Sequence, residues 1–314
     1  MTALTTAPSR FIGCDVGKNS IVIFDSLDDR TRTIPNRPAD LAAFAAALDH
    51  TCFVVCEATG GHEIHLLDAM AQAACPAHRA DARKVKAFIR SFGVLGKTDA
   101  IDARWLARYA QDRHAELTRW NPRDQQRVQL QALVMTRRDL VANRVAWTNR
   151  SASPTAGAAQ PYIQTLIDCF DAQIKAIDST IATLIQEHKA LNRAVKTLQT
   201  IAGVGPKIAA ALIALMPELG TLNRKTAAAL AGLAPHPNQS GNKDAYRPVR
   251  GGRAEIKSVL FMAALSAARH DPNISPFYKR LRENGKKPIV AITAIMRKII
   301  TIANARLRDA QITN

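Results

Sequence analysis

Between Arg123 and Arg150 the chain carries neither glycine nor proline. Across that stretch Val128, Leu130, Leu133, Val134, Leu140, Val141 and Val145 recur at near-helical spacing, which predicts one long amphipathic helix. The run SASPTAGAAQP at residues 151–161 breaks it. A second helix is expected from Tyr162 to about His188, carrying Ile163, Leu166, Ile167, Phe170, Ile174, Ile177, Ile181, Leu184 and Ile185. Two long helices around a short break make an antiparallel hairpin or a coiled coil. Such a pair fits either a packing element inside one domain or an oligomerisation arm. It divides the chain into residues 1–120, a helical connector at 121–192, and residues 193–314.

The first segment mixes strand and helix signals. Phe11–Val16 and Ser20–Phe24 are short β-rich runs separated by Gly17-Lys18-Asn19, as in a hairpin, and a third strand is expected near Arg32–Ile34. Pro38 opens an Ala/Leu helix through Leu48, where proline is accepted in the first turn. The run TCFVVC at residues 51–56 reads as a buried strand. Helices are expected over Glu63–Ala74, a basic one around Ala82–Arg90, and one from Asp99 to about Gln111. The pattern is α/β with a mixed sheet. The last segment reads as mostly helical, with a Gly/Pro/Asn-rich loop at Gly232–Gly252.

Charge is segregated along the chain. The whole chain of 314 residues has a net charge of +17. Residues 1–81 hold 6 basic and 10 acidic side chains, residues 82–150 hold 15 and 6, residues 151–192 hold 2 and 4, and residues 193–314 hold 20 and 6. An acidic first segment followed by basic blocks points to phosphate contacts along a nucleic acid, against the alternative of a solvated basic face. With 47% hydrophobic residues the chain can bury a sizeable core, so disorder, collagen-like repeats and small disulfide scaffolds are excluded. The longest apolar run, residues 208–217, is about half of the roughly 20 residues a membrane-spanning helix needs. No apolar signal core opens the chain, and five cysteines without a CxxC pair fit free thiols. A soluble, cytoplasmic protein with no membrane partner is expected, associated with the nucleoid when it acts.

Four carboxylates stand out. Asp15 ends the first strand, Glu57 ends the TCFVVC strand, and Asp99 and Asp102 open a helix. The i, i+3 spacing puts the last two on one helix face, about 5–6 Å apart. Carboxylates at adjacent strand ends plus a helical pair form an oxygen-rich site for one or two Mg²⁺ ions. Each acid alone also fits a cap or a solvated charge, and Asp99 in particular fits a helix cap. Cys52-x-x-x-Cys56 and His62-x-x-His65 lack a zinc framework.

In the C-terminal half, TIAGVGPKIAAAL at residues 200–212 has the Gly203-x-Gly205 pattern of a helix-hairpin-helix, with Lys207 just beyond the turn. Such a turn can aim backbone N–H groups at a phosphate, or it can be plain helix packing. Ser240 lies between Pro237 and Gly241, and Lys243, Arg247, Arg250 and Arg253 follow it. From its surroundings alone Ser240 reads as a turn residue. His236 reads as loop structure and Phe277 and Tyr278 as core or interface residues. Lys279, Arg280, Arg282, Lys286 and Lys287 fit phosphate or RNA contacts, or a solvated face.

IGCDVGK, CEATGGHEIHLL and GKTDAIDARWLARYA, with the C-terminal motifs in the same order, resemble one insertion-sequence transposase family. Its members have an N-terminal RuvC-like DEDD domain, act as bridge-RNA-guided serine recombinases, and are similar to the pilin-gene DNA invertases. The resemblance implies a RuvC/RNase H-like mixed sheet, a coiled-coil connector and a mainly helical C-terminal domain. It implies that Ser240 is the nucleophile, forming a phosphoserine link to DNA. It further implies that Asp15, Glu57, Asp99 and Asp102 hold Mg²⁺, that a structured non-coding RNA pairs with DNA, and that dimers assemble into a tetramer. Two other readings compete: a RuvC-like metal-dependent nuclease of the junction-resolvase type, and a non-catalytic nucleic-acid-binding protein.

Overall fold

The computed structural model describes residues 7–93, 98–122, 124–235, 239–240, 243–244 and 248–312. Contacts divide the chain into two compact units, Met1–Pro122 and Arg123–Asn314.

The first unit contains β1 (Arg10–Val16), β2 (Ser20–Asp25), β3 (Arg30–Pro35), α1 (Pro38–Ala46), β4 (Cys52–Glu57), α2 (Ile64–Gln72), β5 (Ala77–Ala80), α3 (Ala82–Ser91) and α4 (Asp99–Arg113). The five strands form one sheet in the order β3-β2-β1-β4-β5. β1, β2 and β3 make an antiparallel meander, whereas β4 runs parallel to both β1 and β5. The α/β layout with a mixed sheet is therefore present, with one strand, β5, beyond the sequence expectation. Both faces of the sheet are covered. Ile12, Cys14, Ile21, Ile23, Val54 and Cys56 pack with Leu41 and Phe44 of α1 and Leu66, Leu67 and Met70 of α2. Phe11, Phe53 and Val55 on the other face pack with Val85 of α3 and Leu106 and Tyr109 of α4. Burial on both sides explains why β1 and β4 are near-continuous apolar runs rather than alternating ones.

The second unit opens with α5 (Gln125–Ser151) and, after a short 3-10 turn at Gly157–Ala159, α6 (Gln160–Glu187). These are the two long helices that the sequence predicts. Arg137 bonds Asp178 at 2.5 Å and Arg144 bonds Asp171 at 2.5 Å, so seven residues forward on α5 meet seven residues back on α6. That register makes an antiparallel hairpin. At its base, Leu130, Val134, Ile181 and Leu184 belong to the core built by the helices that follow.

Those are α7 (Lys189–Gln199), α8 (Pro206–Leu215), α9 (Arg224–Leu230), α10 (Ala254–His270), α11 (Ile274–Glu283) and α12 (Pro288–Ile312). Between α9 and α10 lies a small ribbon, β6 (Gln239–Ser240) and β7 (Lys243–Asp244). Residues 288–310 are long and apolar enough, by length and composition, to cross a membrane. The sequence reading missed this stretch because charges interrupt it. Ala291, Ile292, Ile295, Met296, Ile299, Ile300, Ala303 and Leu307 recur every three or four residues and are buried in the unit's own core, as in an amphipathic core helix.

Candidate carboxylate site and serine ribbon

β1 and β4 pair in parallel with Cys14 opposite Cys56, which puts the next residues, Asp15 and Glu57, side by side at the C-terminal ends of neighbouring strands. Side chains alternate along a strand. Ile12 and Cys14 face α1 and α2, so Asp15 shares the opposite face with Phe11 and Gly13, and Glu57 shares it with Phe53 and Val55. Both are half-buried. Burial holds the Cys14 and Cys56 thiols on the other face well above their ordinary range, so they are packing groups rather than nucleophiles.

α4 lies across this same face. The Phe11 ring sits 5.4 Å from that of His114, just past the end of α4, whereas Gly13 abuts Ala103 and Ala107 near its beginning. The helix therefore runs against β1, and its first turn, with Asp99 and Asp102, lies towards the Asp15 end. Glycine at position 13 permits this approach, since a Cβ there would fall 1.9 Å from the Ala103 carbonyl oxygen. Thr98 caps α4, its hydroxyl accepting the Ile101 amide at 3.2 Å, so Asp99 is released from the capping role the sequence allowed it. Asp99 and Asp102 occupy the first turn, where the helix dipole favours negative charge. Asp99 is exposed and Asp102 half-buried. Among the described residues no three His, Cys, Asp or Glu side chains are gathered tightly enough to form a finished metal cluster. Four ionised carboxylates brought together repel one another unless a cation or a proton neutralises part of their charge.

The segment after Glu57 is held by an acid that the sequence reading passed over. Glu63 has no solvent exposure and pairs with Arg79 of β5, with Nε donating at 2.7 Å. Its other oxygen accepts from the Thr59 amide and hydroxyl at 3.1 Å each and the Gly61 amide at 2.9 Å. Gly60 and Gly61 both take left-handed φ values, 71° and 108°, which lets the chain leave β4 in a tight loop. Burial pushes the Glu63 carboxyl up, but its own backbone amide, Arg79 and Thr59 more than offset this, and it lies below its ordinary value. A second glutamate six residues after Glu57, across a Gly-Gly pair, is the signal that could have revealed it.

In the second unit Ser240 is the last residue of β6, and its backbone pairs with Lys243 of β7. Among the described residues of the Gly/Pro-rich loop, this two-residue pairing is joined by a bridge between Pro235 and Val249. Arg247 and His236 lie outside the described residues. Arg250 is exposed. Arg253 is turned inward, donating to Glu218 at 2.5 and 2.8 Å and to the Leu215 carbonyl at 2.8 Å.

The Gly203-x-Gly205 turn joins α7 to α8. Gly203 has φ 76°, and a Cβ there would meet the Ala263 carbonyl of α10 at 2.2 Å, so this glycine serves close helix packing. Gly205 is the N-cap of α8, and a Cβ there would meet nothing within 4 Å. Lys207 donates to Asp178 of α6 at 2.8 Å while its side chain stays 66% exposed.

Two family profiles match the chain. A DEDD-type IS110 transposase profile covers residues 12–153, and that of the transposase IS116/IS110/IS902 family covers residues 195–279. The pilin gene-inverting protein of Moraxella bovis is 33% identical over 234 residues, spanning 72% of this chain and 70% of the relative. The chain belongs to the IS110/IS116/IS902 transposase family.

The pilin gene-inverting protein of Moraxella lacunata is 32% identical over the same length. The insertion element IS900 uncharacterized 42 kDa protein of Mycobacterium paratuberculosis is 26% identical over 293 residues, 68% of this chain and 72% of its own. As a member of this family the chain is a DNA recombinase or transposase enzyme of an insertion sequence. The first profile spans Asp15, Glu57, Asp99 and Asp102, and the second spans Gly203 through Arg253, including Ser240.

Proposed function

We propose that this transposase is an RNA-guided serine recombinase that cleaves and rejoins DNA with Mg²⁺ at a RuvC-like DEDD site. The observation that carries the reading is the placement of Asp15 and Glu57 at adjacent parallel strand ends, on the face crossed by the helix bearing Asp99 and Asp102. The strand order β3-β2-β1-β4-β5 supports the RuvC-like assignment. An all-carboxylate donor set fits a hard cation such as Mg²⁺. Bound there, the ion would neutralise charge at the scissile phosphate.

Ser240 is the proposed nucleophile. Its Oγ bonds to phosphorus as the bond from phosphorus to the 3′ oxygen breaks; the hydroxyl proton leaves Ser240 and a proton completes the freed 3′-hydroxyl. Rejoining is the reverse, with a 3′-hydroxyl displacing Ser240. Lys243, Arg247 and Arg250 are proposed to hold the flanking phosphates, as is the Gly203–Lys207 turn. Arg253 supports the ribbon through Glu218. A structured bridge RNA would select the DNA by base pairing, and the α5–α6 hairpin would join dimers into a tetramer as a coiled coil. The site of action is the bacterial cytoplasm, at the nucleoid.

A denaturing gel with labelled element-junction DNA, Mg²⁺ and RNA transcribed from the flanking sequence tests the reading. A protein-linked band in the wild type that is lost in Ser240→Ala is expected. Free cleavage products that persist in Ser240→Ala but vanish in Asp15→Asn would replace it with the metal-dependent nuclease. Binding with chemistry unaltered by either substitution would leave only the binding protein.

A further inference from the structure

We infer that Asn36 is a positioning residue for the carboxylate site, its side-chain amide clamping the chain after Asp15 to the chain after Glu57. The paired register of β1 and β4 ends at Cys14 and Cys56, one residue short of both acids. Beyond it the two strands part. β1 continues against β2 through Val16–Ile21, and the Gly17 amide donates to the Ser20 carbonyl at 2.9 Å. β4 continues against β5, with Glu57 paired to Ala80 and the Ala58 amide donating to the Ala80 carbonyl at 3.2 Å. Sheet pairing alone therefore leaves Asp15 and Glu57 at the open end of a fork. Asn36 spans that fork. Its Nδ2 donates to the Gly17 carbonyl at 2.9 Å and to the His62 carbonyl at 3.2 Å. The first carbonyl lies two residues past Asp15, and the second lies five residues past Glu57, beside the buried Glu63.

Both N–H groups of the amide are used, so Asn36 acts on the carboxylates through the backbone that it holds. Its own place is fixed. Pro35 pairs with Ser20 at the end of β3, and the Asn36 backbone amide donates to the Asn19 carbonyl at 2.9 Å. Arg37 is extended ahead of Pro38, which opens α1. Stability alone does not account for asparagine here. Oδ1 is closed off from solvent and has no donor among the described residues. A buried oxygen in that state costs free energy, which leucine, close to asparagine in size, would not. The two carbonyls served by Nδ2 belong to exposed residues, where water can replace the amide. Water does not supply a fixed spacing between the two loops. Holding that spacing in advance lowers the cost of gathering like-charged carboxylates around a cation. The inference rests on the Mg²⁺ reading of those carboxylates and adds the residue that sets their spacing.

Thermal unfolding of the full-length protein across a Mg²⁺ series, without DNA or RNA, tests the clamp in Asn36→Leu and Asn36→Ala. The wild type should melt higher as Mg²⁺ is raised, because a ligand that binds only the folded state stabilises it. Both variants should need about tenfold more Mg²⁺ for the same rise, the net worth of roughly one hydrogen bond. Their metal-free midpoints should stay within about 5 °C of wild type. In the denaturing-gel assay, half-maximal cleavage should move to higher Mg²⁺ by the same factor, with most of the rate recovered at saturation. Variants that melt lower without metal yet follow the wild-type Mg²⁺ curve would make Asn36 a merely structural residue and overturn the inference. An unchanged Mg²⁺ response with unchanged stability would overturn it too. Asp15→Asn separates the clamp from the site beneath it. A wild-type rise that is lost in Asp15→Asn but kept in both Asn36 variants overturns the clamp alone. A wild type that Mg²⁺ does not stabilise, or a rise that survives in Asp15→Asn, removes the metal from the carboxylates and the clamp with it.

Discussion

The α-carbon of Gly13 in β1 faces the Ala103 carbonyl of α4 so closely that one added methyl group would lie 1.9 Å from that oxygen and 2.5 Å from the Ala107 amide nitrogen. Both contacts are backbone, so neither can swing aside. Gly13→Ala should therefore destabilise the first unit by about 3 kcal/mol, the upper range for overpacking a core. Urea denaturation should show this as a lower midpoint. Cleavage should fall further than stability at temperatures where the variant is folded, because α4 carries Asp99 and Asp102 and must lift.

Glu63, which is fully buried, and Arg79, whose side chain is 31% exposed, form the ion pair beneath the loop that follows Glu57. Glu63→Gln keeps the shape but weakens the hydrogen bonds that the carboxylate accepts from Arg79, Thr59 and Gly61. The cost should be about 2 kcal/mol in an equilibrium unfolding experiment at neutral pH, since the Arg79 guanidinium reaches solvent. The loss should exceed that of Asp112→Asn, whose partner Arg108 is exposed.

The same pair sets a pH dependence. Glu63 and Asp25 both lie below their ordinary values: burial raises each, and bonds from Arg79 and Thr59 in one case and Arg10 and Leu27 in the other outweigh it. A carboxyl that holds its proton less tightly folded than unfolded is stabilising when ionised. Its contribution is complete above the unfolded value of about 4 and disappears as pH falls through the lowered folded value. These two carboxyls should make the thermal midpoint fall below about pH 4, with Glu63→Gln flattening part of that fall. An earlier decline should start near pH 6.5, because burial holds the His78 imidazole below its ordinary value.

Arg253 bonds Glu218 and the Leu215 carbonyl. Arg253→Met should cost about 1–2 kcal/mol, discounted because both side chains are over a third exposed. DNA affinity at permissive temperature should change less than in Arg250→Met, which binding titrations of the two variants would show.

Asp99→Asn and Asp102→Asn replace exposed or half-buried helix-start acids without disturbing the Thr98 cap. Each should leave the unfolding free energy within about 0.5 kcal/mol of wild type. Strand cleavage should nevertheless fall a hundredfold or more. Chelation with EDTA should abolish cleavage in the wild type while DNA binding persists. Substantial cleavage in EDTA would remove the metal from the reading.

Much of this architecture is legible in the sequence where burial acts along the whole of an element. β1 and β4 announce themselves because both faces are covered, and α5 because nothing in it breaks a helix. β5 is hidden because its four residues, Ala-His-Arg-Ala, carry no run, and pairing with Val54–Glu57 alone makes them a strand. Glu63 is hidden because acids beside glycines usually face water, and only the fold brings Arg79 to it. The Ser240 ribbon reads as a loop because two-residue strands leave no periodicity. Asp15 and Glu57 were legible as strand ends, but the shared face with α4 follows from register, which no local pattern encodes.

The α5–α6 hairpin carries one more consequence. Its charged pairs advance in equal steps from both helices, from Arg137–Asp178 to Arg144–Asp171, and its base is fastened in a core that its tip does not share. Its reach is therefore adjustable by evolution or by engineering, but only in matched increments. Adding two turns to both helices lengthens the arm and preserves every later partner, whereas adding them to one slides all of those partners out of step. Natural length variation here should appear as paired insertions on either side of residues 151–160.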